Sequence, residues 1–405
     1  MTGRSASGED DATHAPGRGD PPPARHAAGA GTRASIIATA AAFGLTYGLS
    51  APLIALELAD RGVSGLVIGA NAAMHALGVL LIAPALPRIV GRLGLAGPAR
   101  MALVAAAVLL AAFPLLPVLW IWFGLRILLG MASESLFVIS ESWLSEVAEE
   151  GSRTRTMGIY VAAMSAGIAL GPAILSATGR DGVLPFLIGA GFALAALLIL
   201  TVCRPQEVPP EAPGGGGLLI FLRLAPLAVA AAALNAAVEA AGLALLPLYA
   251  MDLGWSEAQG TLLLSVLLMG AITLQLPIGW LGDRCDRSRL MAGLALLAGL
   301  GALVWPVALG HPWLAWPLLF LWGGAFVGIY AAMLTEVGSR FSGGDLAGVF
   351  AAMSVAWGAG ALLGPLAGGL AAHLTQHGLP IFAATLCLGF AVAAMLFGRA
   401  GAIRA

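Results

Sequence analysis

The chain has 405 residues, of which 59% are hydrophobic and only 10% charged, and its formal net charge is −1. Soluble domains carry about 25% charged residues, so a water-soluble globule is excluded, and the small net charge leaves no electrostatic basis for a nucleic-acid partner. Cys203, Cys285 and Cys387 are isolated and fit neither a disulfide framework nor a metal-ligand spacing.

Residues 1–33 hold Pro, Gly, Ser and mixed charge without an apolar run, which predicts a disordered tail and no cleavable signal peptide. A bilayer core takes about 20 apolar residues per helix. Runs of that kind fall at 35–58, 66–87, 100–116, 118–141, 156–178, 183–203, 225–250, 258–281, 290–308, 316–337, 346–370 and 379–398. The third and fourth are divided by Pro114 and Pro117. Residues 204–222, with Pro, Glu and the run Gly214 to Gly217, read as a flexible linker. The expected organisation is a tail (1–33), a six-helix bundle (34–203), the linker (204–222), a second six-helix bundle (223–400) and a short tail (401–405). The predicted fold is an all-α membrane protein with twelve transmembrane helices in two pseudo-symmetric halves.

Three pairs of segments recur at nearly constant spacing. Gly158, Gly167, Gly171 and Pro172 in the fifth span pair with Ala351, Gly360, Gly364 and Pro365 in the eleventh, at an offset of 193. Asp60-Arg-Gly62-Val-Ser64 pairs with Asp252-Leu-Gly254-Trp-Ser256 at 192, and Ser-Glu141 with Thr-Glu336 at 195. A glycine- or proline-interrupted apolar helix in matching halves of a chain points to a secondary transporter. Small residues four apart let helices approach closely, and Pro172 and Pro365 each remove a backbone hydrogen bond, so these helices are expected to serve as packing seams, hinges, or both.

Orientation follows from arginine, the only basic residue type present. With the N-terminus inside, the inner segments hold seventeen arginines, the outer loops only Arg61 and Arg180, and Arg126 falls within a span. Positive residues mark the cytoplasmic side, so both termini are expected in the cytoplasm of a multi-pass inner (plasma) membrane protein.

Glu239 lies well inside the seventh span. A carboxylate at that depth costs several kcal/mol unless it is protonated, paired or hydrated. It is expected either to couple protons or substrate, or to tie neighbouring helices together. Asn235 sits one turn earlier on the same face. Tyr47 aligns with Glu239 at the 192 offset, which suggests a shared depth. Arg126 and Glu134 are eight residues apart on the fourth span, about 80° around the helix, and could face one cavity. Arg126 would then modulate an acidic partner or bind an anionic substrate group, or else form a packing ion pair. Asn71 and His75 share a face of the second span. Thr46, Tyr160, Gln275, Tyr330 and Trp357 complete the polar and aromatic candidates.

Several of these residues resemble motifs of the major facilitator superfamily. Gly279-Trp-Leu-Gly-Asp283-Arg284-Cys-Asp286-Arg287 is similar to its Gly-x-x-x-Asp-Arg loop motif, and Arg126-Ile-Leu-Leu-Gly130 to its fourth-helix Arg-x-x-x-Gly motif. The helix from Gly158 to Pro172 resembles the signature of drug/proton antiporters, and Glu141-Ser-Trp143 with Arg153, Arg155 and Tyr160 resembles an uncharacterised bacterial subgroup. The resemblance covers all twelve spans. It implies the fold of that superfamily, a proton-transfer role for Arg126, and a cytoplasmic latch. In that latch Glu336 pairs with Arg284 or Arg287, Glu141 pairs with Arg88 or Arg92, and Asp283 caps a helix of the other half. The sequence departs from the pattern twice. No acidic residue lies between Asp60 and Glu134, so the first half lacks the loop aspartate, and Leu175-Ser176 stands where the second copy has Gly368-Gly369.

The expected function is a proton-coupled exporter of a small hydrophobic or amphipathic molecule, working by alternating access as a monomer in the lipid bilayer. The alternatives are a proton-coupled importer or facilitator of a small metabolite, and a non-transporting sensor or scaffold. No cofactor, metal site or catalytic residue is expected, and no enzyme activity, since nucleotide-binding, metal-ligand and nucleophile motifs are all missing. The proton gradient is the expected energy source.

Overall fold

The computed structural model describes residues 30–147, 153–180, 182–203, 218–282, 284–341 and 343–402. The described residues form fifteen helices and no strand. The first half holds α1 (Ala30–Asp60), α2 (Gly65–Ile82), α3 (Leu86–Leu93), α4 (Ala96–Leu115), α5 (Leu119–Val147), α6 (Arg153–Thr178) and α7 (Leu184–Cys203). The second holds α8 (Leu218–Leu224), α9 (Pro226–Asp252), α10 (Glu257–Thr273), α11 (Gln275–Gly282), α12 (Arg287–Ala308), α13 (Pro312–Arg340), α14 (Gly343–Leu374) and α15 (Gly378–Ala402). Twelve stretches are long and apolar enough to cross a membrane, with α10 and α11 counted together. In hydrocarbon every backbone N–H and C=O must be satisfied within the segment, and helices do this.

The repeated Asp-x-Gly-x-Ser pattern now has a local cause. Gly62 and Gly254 adopt positive φ (71° and 92°) just after α1 and α9, the left-handed turn that glycine tolerates at a helix stop. Ser64 and Ser256 then stand at the N-caps of α2 and α10. Ser256 completes a capping box: its Oγ accepts from the Gln259 N–H at 3.3 Å, and its own N–H donates to Gln259 Oε1 at 3.2 Å. In the Asp-Arg loop, Asp286 caps α12 by accepting from the Arg289 N–H at 2.8 Å.

Three boundaries differ from expectation. Helix α1 begins at Ala30, inside the expected tail; residues 1–29 lie outside the described ones. Part of the expected linker, Leu218–Leu224, is helical as α8, and 204–217 lie outside the described residues. The eighth span is broken at Leu274 into α10 and α11. Pro277 has no N–H to give the carbonyl one turn earlier, which places the interruption there.

Lipid offers no hydrophobic drive for helix association, so packing rests on small residues. A methyl on Gly44 or Gly48 would land on the carbonyls of Met164 or Ile168, and one on Gly167 or Gly171 on the α1 backbone. Gly360 and Gly364 press in the same way on Ala233 and Ala237 of α9. The repeated glycines therefore weld α6 to α1 and α14 to α9 within each half. Gly130 and Gly78 join α5 to α2, and Gly323 and Gly270 join α13 to α10, at matching positions of the second half.

The halves meet on other faces of these helices. Helix α2 packs on α14, α6 on α10, and α1 and α2 on α9. Helices α5 and α13 pack within their own halves. Two ends can be distinguished. The far end carries the α1–α2, α6–α7, α9–α10 and α14–α15 turns; the linker end carries the α7–α8 connection.

Candidate substrate and coupling site

The Arg-x-x-x-Gly motif builds one side of the site. Gly130 lets α5 lie directly on the α2 backbone at His75. Arg126, one turn away, is thereby held in the interior beside α1 and α2, with 2% of its surface exposed. Its Nη1 donates to Ser50 Oγ at 3.1 Å. Its Nε has no hydrogen-bond partner. His75 packs at a tilt against Tyr47 with ring centroids 5.3 Å apart, and Phe43 stacks on Tyr47 at 6.0 Å. Asn71 and His75 are buried, and Asn71 Nδ2 and His75 Nδ1 lack partners.

The other side comes from α9, α13 and α14. Asn235 Nδ2 donates to Glu239 Oε2 at 3.2 Å, while Asn235 Oδ1 is unpartnered. Glu239 is half-buried, and the Tyr47 hydroxyl lies within electrostatic reach of both Glu239 and Arg126. The two residues that the repeat aligns at one depth thus lie within electrostatic reach of each other from opposite halves. Tyr330 is within reach of Glu239 and Glu141, and packs at a tilt against Trp357 with centroids 5.7 Å apart.

Other candidates sit elsewhere. Tyr160 is not part of this group: it is buried in the interior of the first half, where its hydroxyl meets Ser140 Oγ at 3.1 Å. Glu134 is half-buried two turns past Arg126, within reach of Glu141 rather than of Glu239. Gln275 opens α11 at the break in the eighth span. Gly158 lies in the early turns of α6, and Pro172 and Pro365 lie within α6 and α14.

At the linker end, Arg287 Nη1 lies 3.9 Å from Glu336 Oε2, and Arg340 Nε 2.5 Å from Glu336 Oε1. Both pairs stay inside the second half. Arg284 instead donates to the Trp280 carbonyl and stacks 3.7 Å from the Trp280 ring centroid. Asp283 lies outside the described residues.

An ion pair joins the halves at the far end, at Arg180, a residue the sequence did not single out. Arg180 Nη2 binds Asp60 Oδ1 at 2.9 Å, and its Nε binds Glu257 Oε2 of the other half at 2.6 Å. The hydrogen bond it donates to Asp60 is the main cause holding the guanidinium above the ordinary arginine range, assisted by Glu257. A raised value makes the contribution of this group complete below the ordinary arginine range and lost only in stronger alkali, so the guanidinium stays charged at every physiological pH. Nearby, Ser176 Oγ donates to the Ala258 carbonyl at 2.6 Å, and Ser265 Oγ to the Ala169 carbonyl at 2.9 Å. On the second seam, a methyl on Gly69 would land on the Pro365 carbonyl, and Gly369 faces Gly65. The signal in the sequence was the scarcity of arginine on this side: only Arg61 and Arg180 were assigned there.

A two-half, twelve-span helical protein with a polar cluster on the plane between the halves is a membrane transporter by architecture. The family model of the Major Facilitator Superfamily matches residues 36–365 and again 227–402, and the chain belongs to that superfamily. It is 24% identical over 271 residues to the "uncharacterized MFS-type transporter YfkF" of Bacillus subtilis (strain 168), covering 64% of this chain and 67% of that one. It is 26% identical over 213 residues to the "uncharacterized MFS-type transporter YcaD" of Salmonella dublin, so the match spans 52% of this chain and about half (55%) of that relative. Its fold is similar to that of the nucleoside transporter NupG, with TM-score 0.72 and 14% identity over 92% of this chain and 98% of the other. It is also similar to a D-xylose-proton symporter, with TM-score 0.69 and 17% identity over 89% and 96%.

Proposed function

We propose that this transporter is a proton-coupled exporter of a small amphipathic molecule, acting as a monomer in the inner membrane with both termini in the cytoplasm. The carrying observation is Glu239. It stands half-buried where α9 meets α1, hydrogen-bonded to Asn235 and within reach of Tyr47 on the opposite half. A carboxylate on the seam changes surroundings whenever the halves rock, which lets one proton report on both access states. Arginine placement supports assigning the linker end to the cytoplasm. On that assignment the far-end contacts would hold the carrier closed on its outer side.

Import with protons is the second reading. It is favoured by the incomplete first antiporter copy, Gly171-Pro172 followed by Leu175-Ser176.

The test is flux in proteoliposomes under an imposed pH gradient, with a compound first found by accumulation screening in cells lacking or overproducing the protein. Uphill flux opposite to the proton flow and its loss in Glu239→Gln are expected. Unchanged gradient-driven flux in that variant would remove Glu239 from coupling, and flux along the proton flow would reverse the direction.

A further inference from the structure

Arg126 is a buried cation without a counter-ion. No carboxylate oxygen of the described residues stands within ion-pair distance of it; the ion pairs lie instead at the two ends of the molecule. Its one named partner is a neutral hydroxyl, Ser50 Oγ, and its Nε–H is unspent. Isolated charges in a hydrocarbon interior are expensive and are normally paired. A second spare donor, Asn71 Nδ2, lies on α2 one turn from His75, beside which Arg126 is held. Tyr47 and His75, tilted 40° to each other, stand beside Arg126; Tyr330, tilted 56° to Trp357, is within reach of Glu239 on the other half. Across the seam the spare polar atom is an acceptor, Asn235 Oδ1.

We infer that Arg126 and Asn71 form a carboxylate-binding subsite, and that the substrate is an organic monoanion. A guanidinium and a carboxylate match geometrically. One negative charge balances Arg126, whereas a phosphate dianion would leave an excess charge near Glu239. This sharpens the amphipathic substrate expected from the sequence into one with a charged head, and it rests on the transport reading above.

The test uses the full-length chain purified in detergent, with benzoate and its neutral isostere benzamide as probes, read by quenching of tryptophan fluorescence. Wild type is expected to bind benzoate about 10-fold or more tightly than benzamide, the difference expected of a charge-assisted pair. Arg126→Gln is expected to abolish the preference, and Arg126→Lys to retain part of it. Asn71→Leu, which keeps Arg126 in place, is expected to weaken benzoate several-fold with little effect on benzamide. Equal binding of the two probes by wild type, no benzoate binding at millimolar concentration, or a preference surviving both Arg126→Gln and Asn71→Leu would overturn the subsite. A chain that binds benzamide and not benzoate, while still carrying out gradient-driven flux of a neutral compound, would refute the subsite and leave the transport reading standing. Loss of all flux with the benzoate preference intact would do the reverse.

Discussion

Removing the Arg180 side chain should open the far end. Arg180 and Glu257 are each about four-fifths buried, at 20% and 23% exposure, and meet at 2.6 Å across the halves. Charge-assisted contacts of that kind contribute about 1.5–3 kcal/mol. Asp60 is 61% exposed and bonds within the same half, so its share falls in the surface range of about 0.2–1 kcal/mol and does not distinguish open from closed. The Glu257 contact alone should therefore bias the closed far end by about 2 kcal/mol, a factor of about 30 in population. The assay is a pulsed-EPR distance distribution between spin labels at Val183→Cys and Leu374→Cys, both exposed at the far end on opposite halves. The background would carry replacements of Cys203, Cys285 and Cys387. Arg180→Ala should raise the long-distance population by about that factor, Asp60→Asn should change it little, and Arg180→Ala with Glu257→Ala should equal the single variants. Identical distributions in wild type and Arg180→Ala would show that the clamp bears no load, and independent effects of Arg180 and Glu257 would show that they do not act as a pair.

Glycines of similar sequence context should behave in two ways. Gly69→Ala puts a methyl on the Pro365 carbonyl of the opposite half, so it should favour an open far end in the same EPR measurement while leaving thermal stability in detergent nearly unchanged. Gly44→Ala collides with Met164 within one half and should instead lower the midpoint of thermal unfolding without favouring either state; the reverse pattern would refute the division between weld and seam. Trp122 is fully buried, donates to the Leu116 carbonyl at 2.8 Å, meets Phe113 edge-on at 5.2 Å and lies under Arg61. Trp122→Ala should cost about 3–5 kcal/mol, read as a lowered thermal midpoint, and Trp122→Phe less.

The helices and their count were legible because hydrocarbon enforces a length and an internally satisfied backbone, and both leave a plain apolar trace. The break at Leu274 had a visible cause in Pro277, yet an apolar run hides such a break because hydropathy does not change across it. Within the site, Glu239, Asn235 and Tyr47 were legible as polar residues at one depth of a repeated unit. Tyr160 was assigned to the cavity by polarity alone, and its partner Ser140 depends on the rotation of α6 against α5, which spacing does not specify. The glycine repeats showed close packing but not the partner, since a small residue permits an approach from any neighbour its face meets. Arg180 was passed over because an isolated loop arginine looks like any solvated charge; only the fold brings Asp60 and Glu257 to it from 120 residues before and 77 residues after.

The repeat also explains why the two seams close differently, and it suggests how to exchange their properties. Arg180 corresponds to His373 at the 193 offset of the Gly-Pro helices, and Glu257 to Gly65 at the 192 offset of the turns. One seam, α6 on α10, is therefore closed by a guanidinium and a carboxylate. Its counterpart, α14 on α2, is closed by Gly65 and Gly69 against Gly369 and Pro365. The positions that would carry a second clamp are already adjacent: a Cβ on Gly65 would lie 3.8 Å from the His373 backbone nitrogen and 3.4 Å from the Gly369 carbonyl, ordinary contact distances. Gly65 follows the N-cap Ser64 as Glu257 follows Ser256, where an acidic side chain also suits the helix dipole. Gly65→Glu combined with His373→Arg should thus copy the clamp to the second seam. The expected result is a further bias of about 1–2 kcal/mol toward the closed far end, seen as a smaller long-distance EPR fraction and partial rescue of Arg180→Ala. If the double variant opened the far end, or matched Gly65→Glu alone, seam closure would depend on glycine contact at that position rather than on charge.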